Sequence, residues 1–284
     1  MSGQRIDRIG FAYNPTSTAA LELREQVVNW SAGLGLDHWD APAADHDRLI
    51  RELPGTGLLV VLGGDGTFLR AASAVTEVDV PLLGINVGKV GFLSKVEATD
   101  AIPVLERVQA GAFRLEHRMA LEGRILRGSN PAGAERHVAL NDVVVARGSL
   151  ARVVRLDVSI DGSHLATYVA DGLIVASPTG STGYSFSAGG PILDPTARNL
   201  IVTPIAAYLT TIRSVVVGGS VVVRCTVKDA LEALVSIDGH DDVPVAVGDV
   251  VEVRAIEQPI RLVQPDGALP FWDLLRKKVE LLPS

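Results

Sequence analysis

Two patterns of apolar residues divide the chain, and one gives way to the other near Arg118. Before that point, short apolar runs alternate with stretches of helical spacing. Ile6–Ala12 reads as a first strand, ended by Tyr13-Asn14-Pro15. Ala19–Trp30 carries helical periodicity and offers Leu21, Leu23, Val27, Val28 and Trp30 to a core. Leu58–Leu62 is unbroken, as expected of a strand buried on both faces. Leu69–Ala74 opens a helix with Thr67 as its cap. Pro81–Asn86 reads as a further strand and Ile102–Gln109 as a further helix. Strand and helix in turn predict a Rossmann-like parallel sheet, with its loops gathered at the strand ends where ligands bind.

After Arg118, valine and isoleucine dominate, and turns such as Asp161-Gly162 and Gly218-Gly219 recur. Arg152–Ile160, Val215–Val227, Ala233–Ile237 and Val250–Ile256 read as strands. Asp161-Gly162 reads as the turn of a hairpin. Helical spacing returns only at Phe271–Lys278. The expected architecture is an α/β N-terminal domain over residues 1–117, completed by 268–284, followed by an all-β domain over residues 118–267.

The chain has 284 residues and a formal net charge of −7, with no Lys/Arg cluster, which argues against a nucleic-acid surface. Its single cysteine, Cys225, excludes an intramolecular disulfide and sits beside Val221-Val222-Val223, as a buried strand residue would. Met1-Ser2-Gly3-Gln4-Arg5 lacks a signal-peptide apolar core, and no apolar run reaches membrane-spanning length. A soluble, cytoplasmic protein with no membrane partner is expected.

The chemistry concentrates in three places. Gly63-Gly64-Asp65-Gly66-Thr67 joins the Leu58–Leu62 strand to the helix behind it. Glycines there let a ligand come close to amide N–H groups at a helix N-terminus, which is an anion site. A plain Gly/Asp strand-to-helix turn is the alternative. The loop is neither a Walker A motif nor a G-x-G-x-x-G fingerprint. Asn141-Asp142 places an amide and a carboxylate at the start of the run Val143-Val144-Val145, a pair otherwise common in Asx turns. Asp171 to Pro191 gathers glycines and hydroxyls around Tyr184. It reads as a surface loop whose ring stacks on a base and whose Ser/Thr groups bond ribose or amide edges. A serine-rich connector is the plainer reading.

In this order, residues 63–67, 141–142 and 171–191 resemble the NAD kinase family, which phosphorylates NAD to NADP. Its hallmarks are a GGDGT loop, an N-E/D pair and a segment DGxxxxTPTGSTAYxxSxGGP. The likeness extends to Gly84-Ile85-Asn86 with Gly91-Phe92-Leu93, and to Val235-Ser236-Ile237-Asp238-Gly239. GGDGT alone is shared with diacylglycerol-type lipid kinases and phosphofructokinases, whereas the long segment is specific. Here Gly183 stands for the usual Ala, Ala176-Ser177-Pro178 for S/A-T-P, Asp142 for Glu, and His240 where many relatives carry Gln. Ile205-Ala206-Ala207-Tyr208-Leu209 lacks a frequent Pro-His.

The resemblance implies transfer of the ATP γ-phosphoryl, or of a polyphosphate phosphoryl, to the 2′-hydroxyl of the adenosine ribose of NAD. It implies Mg²⁺ brought with ATP, no stored protein-bound metal, and a homo-oligomer, dimer or tetramer. By the same resemblance Asp65 is the catalytic proton acceptor, and Gly63, Gly64, Gly66 and Thr67 bind phosphate. The NAD contacts it implies are Asp65, Gly66, Arg70, Phe92, Asn141, Asp142, Arg152, Asp171, Thr182, Gly183, Tyr184, Ser185, Phe186, Ser187 and His240. Within that set Asn141 and Asp142 hold ribose hydroxyls, Phe92 packs an adenine face and Asp171 fixes the nicotinamide end. The rivals are a GGDGT-type lipid kinase, disfavoured by the acidic charge and the lack of a basic amphipathic helix, and a non-catalytic dinucleotide sensor.

Overall fold

The computed structural model describes residues 6–88, 91–128, 130–149, 152–208 and 212–280. The opening Met1–Arg5, Lys89 and Val90 of the second glycine loop, and Leu209 lie outside the described residues. The chain divides into two compact units, Met1–His117 with Ile260–Ser284, and Arg118–Pro259.

The first unit runs β1 (Arg8–Tyr13), α1 (Thr18–Gly33), β2 (Asp37–Pro42), α2 (His46–Glu52), β3 (Leu58–Leu62), α3 (Asp65–Val75), β4 (Leu82–Asn86), β5 (Val96–Glu97), α4 (Ala101–Gln109) and β6 (Phe113–Arg118). All five residues of β3 are buried, because the strand lies inside the sheet between β1 and β4, both parallel to it. Helix α3 buries Phe68, Leu69, Ala71, Ala72, Ala74 and Val75. A buried side chain the size of Phe68 contributes about 1.5–3 kcal/mol.

Two expectations need correcting here. Helix α3 begins at Asp65 with Gly64 at its cap and no side-chain cap bond, so Thr67 is inside the helix. The Thr67 side chain instead packs back on Gly63, where an added β-carbon would lie 2.4 Å from Oγ1. Leu21 of α1 is 37% exposed, while Leu23 and Val27 carry that helix's buried stripe.

The second unit holds β7 (Leu121–Arg127), β8 (Asn130–Ala139), β9 (Asp142–Arg147), β10 (Val154–Ile160), β11 (Ser163–Ala170), β12 (Gly172–Ala176), α5 (Tyr184–Ser187), β13 (Asn199–Ile205), β14 (Val215–Gly218), β15 (Val223–Asp229), β16 (Ala233–Ile237), β17 (Asp241–Val245) and β18 (Val250–Ala255). They form two six-stranded sheets, β11-β10-β15-β18-β7-β8 and β14-β13-β12-β9-β16-β17. Inner faces of both sheets share one core, which includes Leu156, Cys225 and Val251 from the first and Val143, Leu173 and Val235 from the second. Val144, Ile174 and Ile201 on the second sheet's other face pack with Ala188 and Leu193, so its central strands are apolar on both faces. Burial pushes the Cys225 thiol up to about 12, an inert core residue. Asp161 and Gly162 both take positive φ, 48° and 80°, in the tight turn joining β10 to β11.

The chain then supplies β19 (Ile260–Pro265) and α6 (Phe271–Glu280) to the first unit. Strand β19 pairs parallel to β4 and completes the order β2-β1-β3-β4-β19-β6. Residues 260–267 therefore do not belong to the all-β part, as the valine-rich texture had implied. A run such as Ile260-Arg261-Leu262-Val263 has strand propensity in either sheet, and only the pairing distinguishes them.

Candidate functional site

In the first unit the site forms where β3 ends and α3 starts. Asp65 is the first residue of α3, and its side chain turns toward the chain that leaves β4. Oδ2 accepts the Phe92 N–H at 2.8 Å, and Oδ1 accepts those of Leu93 at 3.0 Å and Ser94 at 3.3 Å. Three consecutive amides thus fix both the position and the plane of one carboxylate. Gly91 makes room for it: a β-carbon there would stand 1.9 Å from Oδ1.

The neighbouring glycines divide by use. The Gly63 N–H donates to the Ile85 carbonyl at 2.9 Å, continuing the β3–β4 pairing, so it is not a phosphate donor as expected. A β-carbon at Gly64 or Gly66 would meet nothing within 4 Å, and the Thr67 N–H donates to the Gly64 carbonyl at 3.0 Å. Arg70 is exposed on the same helix, one turn on. Phe92 is half-buried; its ring lies 5.9 Å from that of Phe271, and Lys278 Nζ sits 4.7 Å from its centroid. The ring assigned to an adenine face is therefore already in contact with α6.

In the second unit the start of β9, the end of β12 and the end of β16 meet at one end of a sheet. Ala176 pairs with Asp142, and Ile237 with Val143. Asp238 follows β16 and accepts the N–H groups of Leu140 at 2.8 Å, Asn141 at 2.8 Å and Asp142 at 3.0 Å. On the other flank the Asn141 carbonyl accepts the Ser177 N–H at 2.8 Å. Gly180 lies against the same peptide, where a β-carbon would come 2.2 Å from the Asn141 oxygen. Asp142 is buried, and its carboxyl is pushed up to about 7 by that burial and by the charge of Asp238. Burial raises Asp238 as well, opposed by its three amide bonds and by His240. Those bonds favour the ionised form of Asp238 and so oppose the effect of its burial. The His240 ring Nδ1 faces the carbonyl of Asp238.

The segment 171–191 is not the surface loop its composition implied. Residues Gly172–Ala176 form a fully buried strand, and Ser177, Ser181 and Ser185 are buried too. Their hydroxyls are used internally: Ser177 toward the Leu140 carbonyl, Ser181 toward Pro178 at 2.7 Å, Ser185 toward Thr203 at 3.4 Å. Ser185, assigned to NAD, is a buried packing residue, while Tyr184 and Phe186 stand 48% and 51% exposed. Ser187 is exposed, and Thr182 and Gly183 are half-buried. Asp171 pairs with Arg147 at 2.8 Å, and Arg152 is exposed just ahead of β10. Sequence reasoning gave no role to Gly91, Ser177 or Asp238. An Asp-Gly directly after a strand was the available signal for the last of these.

Among the described residues no group of three His, Cys, Asp or Glu is placed to hold a metal ion, and no helix is long and apolar enough to cross a membrane.

Two family models match the chain: the ATP-NAD kinase N-terminal domain over residues 36–113 and the ATP-NAD kinase C-terminal domain over residues 140–264. An NAD kinase from Heliobacterium modesticaldum is 39% identical, with 96% of this chain and 98% of the relative covered. One from Dehalococcoides mccartyi is 38% identical, with 90% of each covered. Among solved structures, yeast NADH kinase complexed with NADH superposes with a TM-score of 0.83 at 25% identity, covering 99% of this chain and 88% of that one. An Archaeoglobus fulgidus NAD kinase in complex with ATP gives 0.77 at 23% identity, over 97% and 100%, a likeness of fold.

Proposed function

The chain belongs to the NAD kinase family, and from that premise we propose how its residues phosphorylate NAD. The acceptor is the 2′-hydroxyl of the adenosine ribose and the donor is ATP, with polyphosphate the second candidate. Transfer of this kind passes through a loose transition state, so placement of the two oxygens and neutralisation of charge matter most. The hydroxyl oxygen bonds to the γ-phosphorus, the bond to the β,γ-bridging oxygen breaks, and ADP leaves. The hydroxyl proton goes to Asp65.

One observation carries the assignment: Asp65 is held in a single plane by the amides of residues 92–94. Oδ1 takes two of these bonds and Oδ2 one, so Oδ2 keeps the greater accepting capacity. We assign the proton transfer to Oδ2. A carboxylate is a weak base at neutral pH, so orienting the hydroxyl matters as much as removing its proton.

Gly64, Gly66 and Thr67, at the head of α3, form the phosphate-binding turn, with Arg70 as a countercharge. The ion enters as part of a MgATP substrate, since Mg²⁺ needs phosphate oxygens and water more than a protein cage. Asn141 and Asp142 hold ribose hydroxyls; a carboxyl titrating near 7 serves as either donor or acceptor there. Tyr184 stacks on a ring of the dinucleotide, with Thr182, Gly183, Phe186 and Ser187 around it. Arg152, Asp171 and His240 complete the contacts. Phe92 packs against an adenine face, and Ser185 acts indirectly, by fixing α5. A cytoplasmic homo-oligomer is the proposed state of the enzyme. Neither a lipid acceptor nor a non-catalytic sensor draws support from the relatives reported above, each of them named a kinase of NAD or NADH.

The test is Asp65→Asn. We expect kcat to fall by about 10²–10⁴-fold while NAD still binds by calorimetric titration. Turnover at the wild-type rate would remove Asp65 from the reaction.

A further inference from the structure

Asp238 lies outside every group assigned above, yet its carboxylate accepts the same number of amide bonds as that of Asp65. Each gathers three successive backbone N–H groups from a distant segment. The Asp238 N–H returns a fourth bond to the Asp142 carbonyl at 3.0 Å, so residue 238 and the start of β9 are joined from both sides. Asp238 also adopts φ 50°, a conformation most side chains avoid and Asn and Asp tolerate best. A positive-φ backbone, a half-buried carboxylate and a full set of bonds converge on one peptide segment, that of Asn141 and Asp142.

We propose that Asp238 is the positioning residue for the Asn141–Asp142 pair: its carboxylate sets the main chain from which both side chains reach the ribose. The inference rests on the assignment of that pair to the ribose. Ladder pairing of β9 with β12 begins only at Asp142, so the preceding peptide needs its own anchors. Ser177 and Gly180 supply one flank and Asp238 the other. A carboxylate is required because all three partners are donors. An amide at 238 would present its NH₂ to one of them.

Two variants separate the roles. Asp238→Asn keeps a residue suited to positive φ and loses one acceptor. Asp238→Gly removes the clamp altogether while relieving the backbone, which protects folding. Both are expected to raise the NAD KM by about tenfold or more, the scale of a lost charge-assisted bond. The ATP KM should be unchanged and kcat reduced much less than the NAD KM rises, a split that general loss of structure would not produce. In an Asn141→Ala background the Asp238→Asn effect should shrink, because residues acting as one unit are not additive. A wild-type NAD KM in Asp238→Gly, alongside a raised one in Asn141→Ala, would overturn this inference alone. A wild-type NAD KM in Asn141→Ala would remove the ribose assignment, and this inference with it.

Discussion

Gly91 is bare because Asp65 occupies the space a side chain would need: a β-carbon at 91 would lie 1.9 Å from Oδ1 and 2.4 Å from Cγ of Asp65. The glycine is therefore a packing requirement of the carboxylate, which must come close enough to meet the amides of residues 92–94.

Gly91→Ala should accordingly push the Asp65 carboxylate from its amides. Misplacing a reacting group by about 1 Å costs about 10²-fold in rate. We expect kcat to fall by that order with the NAD KM changed far less, as steady-state kinetics on the purified variant would show.

The Asp142 carboxyl has an ordinary value of 3.8 and is pushed up to about 7 by burial and by Asp238. The folded chain thus keeps a proton that the unfolded chain has released. Stability from this group is fully present at low pH, declines as pH rises from about 4 to about 7, and is flat above. Thermal melts across that range should show the wild type losing stability relative to Asp142→Asn, which has no proton to lose. A parallel pair of curves would place Asp142 in an ordinary, solvated setting.

Tyr184 stands 48% exposed at the start of α5, so its ring contributes little to the core. Tyr184→Ala should change unfolding free energy by no more than about 0.5 kcal/mol. Stacking of an aromatic ring on a base is worth about 1–3 kcal/mol, so the NAD KM should rise about fivefold or more. Equal NAD affinity in variant and wild type would exclude the stacking.

Much of this was legible locally. The run Leu58–Leu62 marked a two-sided buried strand, and Ala233–Ile237 read as a strand, which is β16. The GGDGT turn and the Asn141–Asp142 pair stand at a helix start and a strand start, as their spacing implied. Composition misled over residues 177–185, where serine hydroxyls suggested solvent. Serine is small enough to be buried once its hydroxyl has a main-chain partner, and Ser177 and Ser181 each have one. The edges also misled. Val and Ile favour any strand, so the propensity of residues 260–265 did not say which sheet would take them.

What the sequence determined by itself was the set of chemical groups and the elements that carry them, because hydrophobic period, glycine and capping chemistry act over a few residues. Tertiary structure alone decided the partner of each carboxylate. Asp65 meets amides 27 to 29 residues away and Asp238 meets amides 96 to 98 residues away. No local preference encodes such pairs; they form only when each unit folds and brings distant backbone within the roughly 3 Å reach of a hydrogen bond.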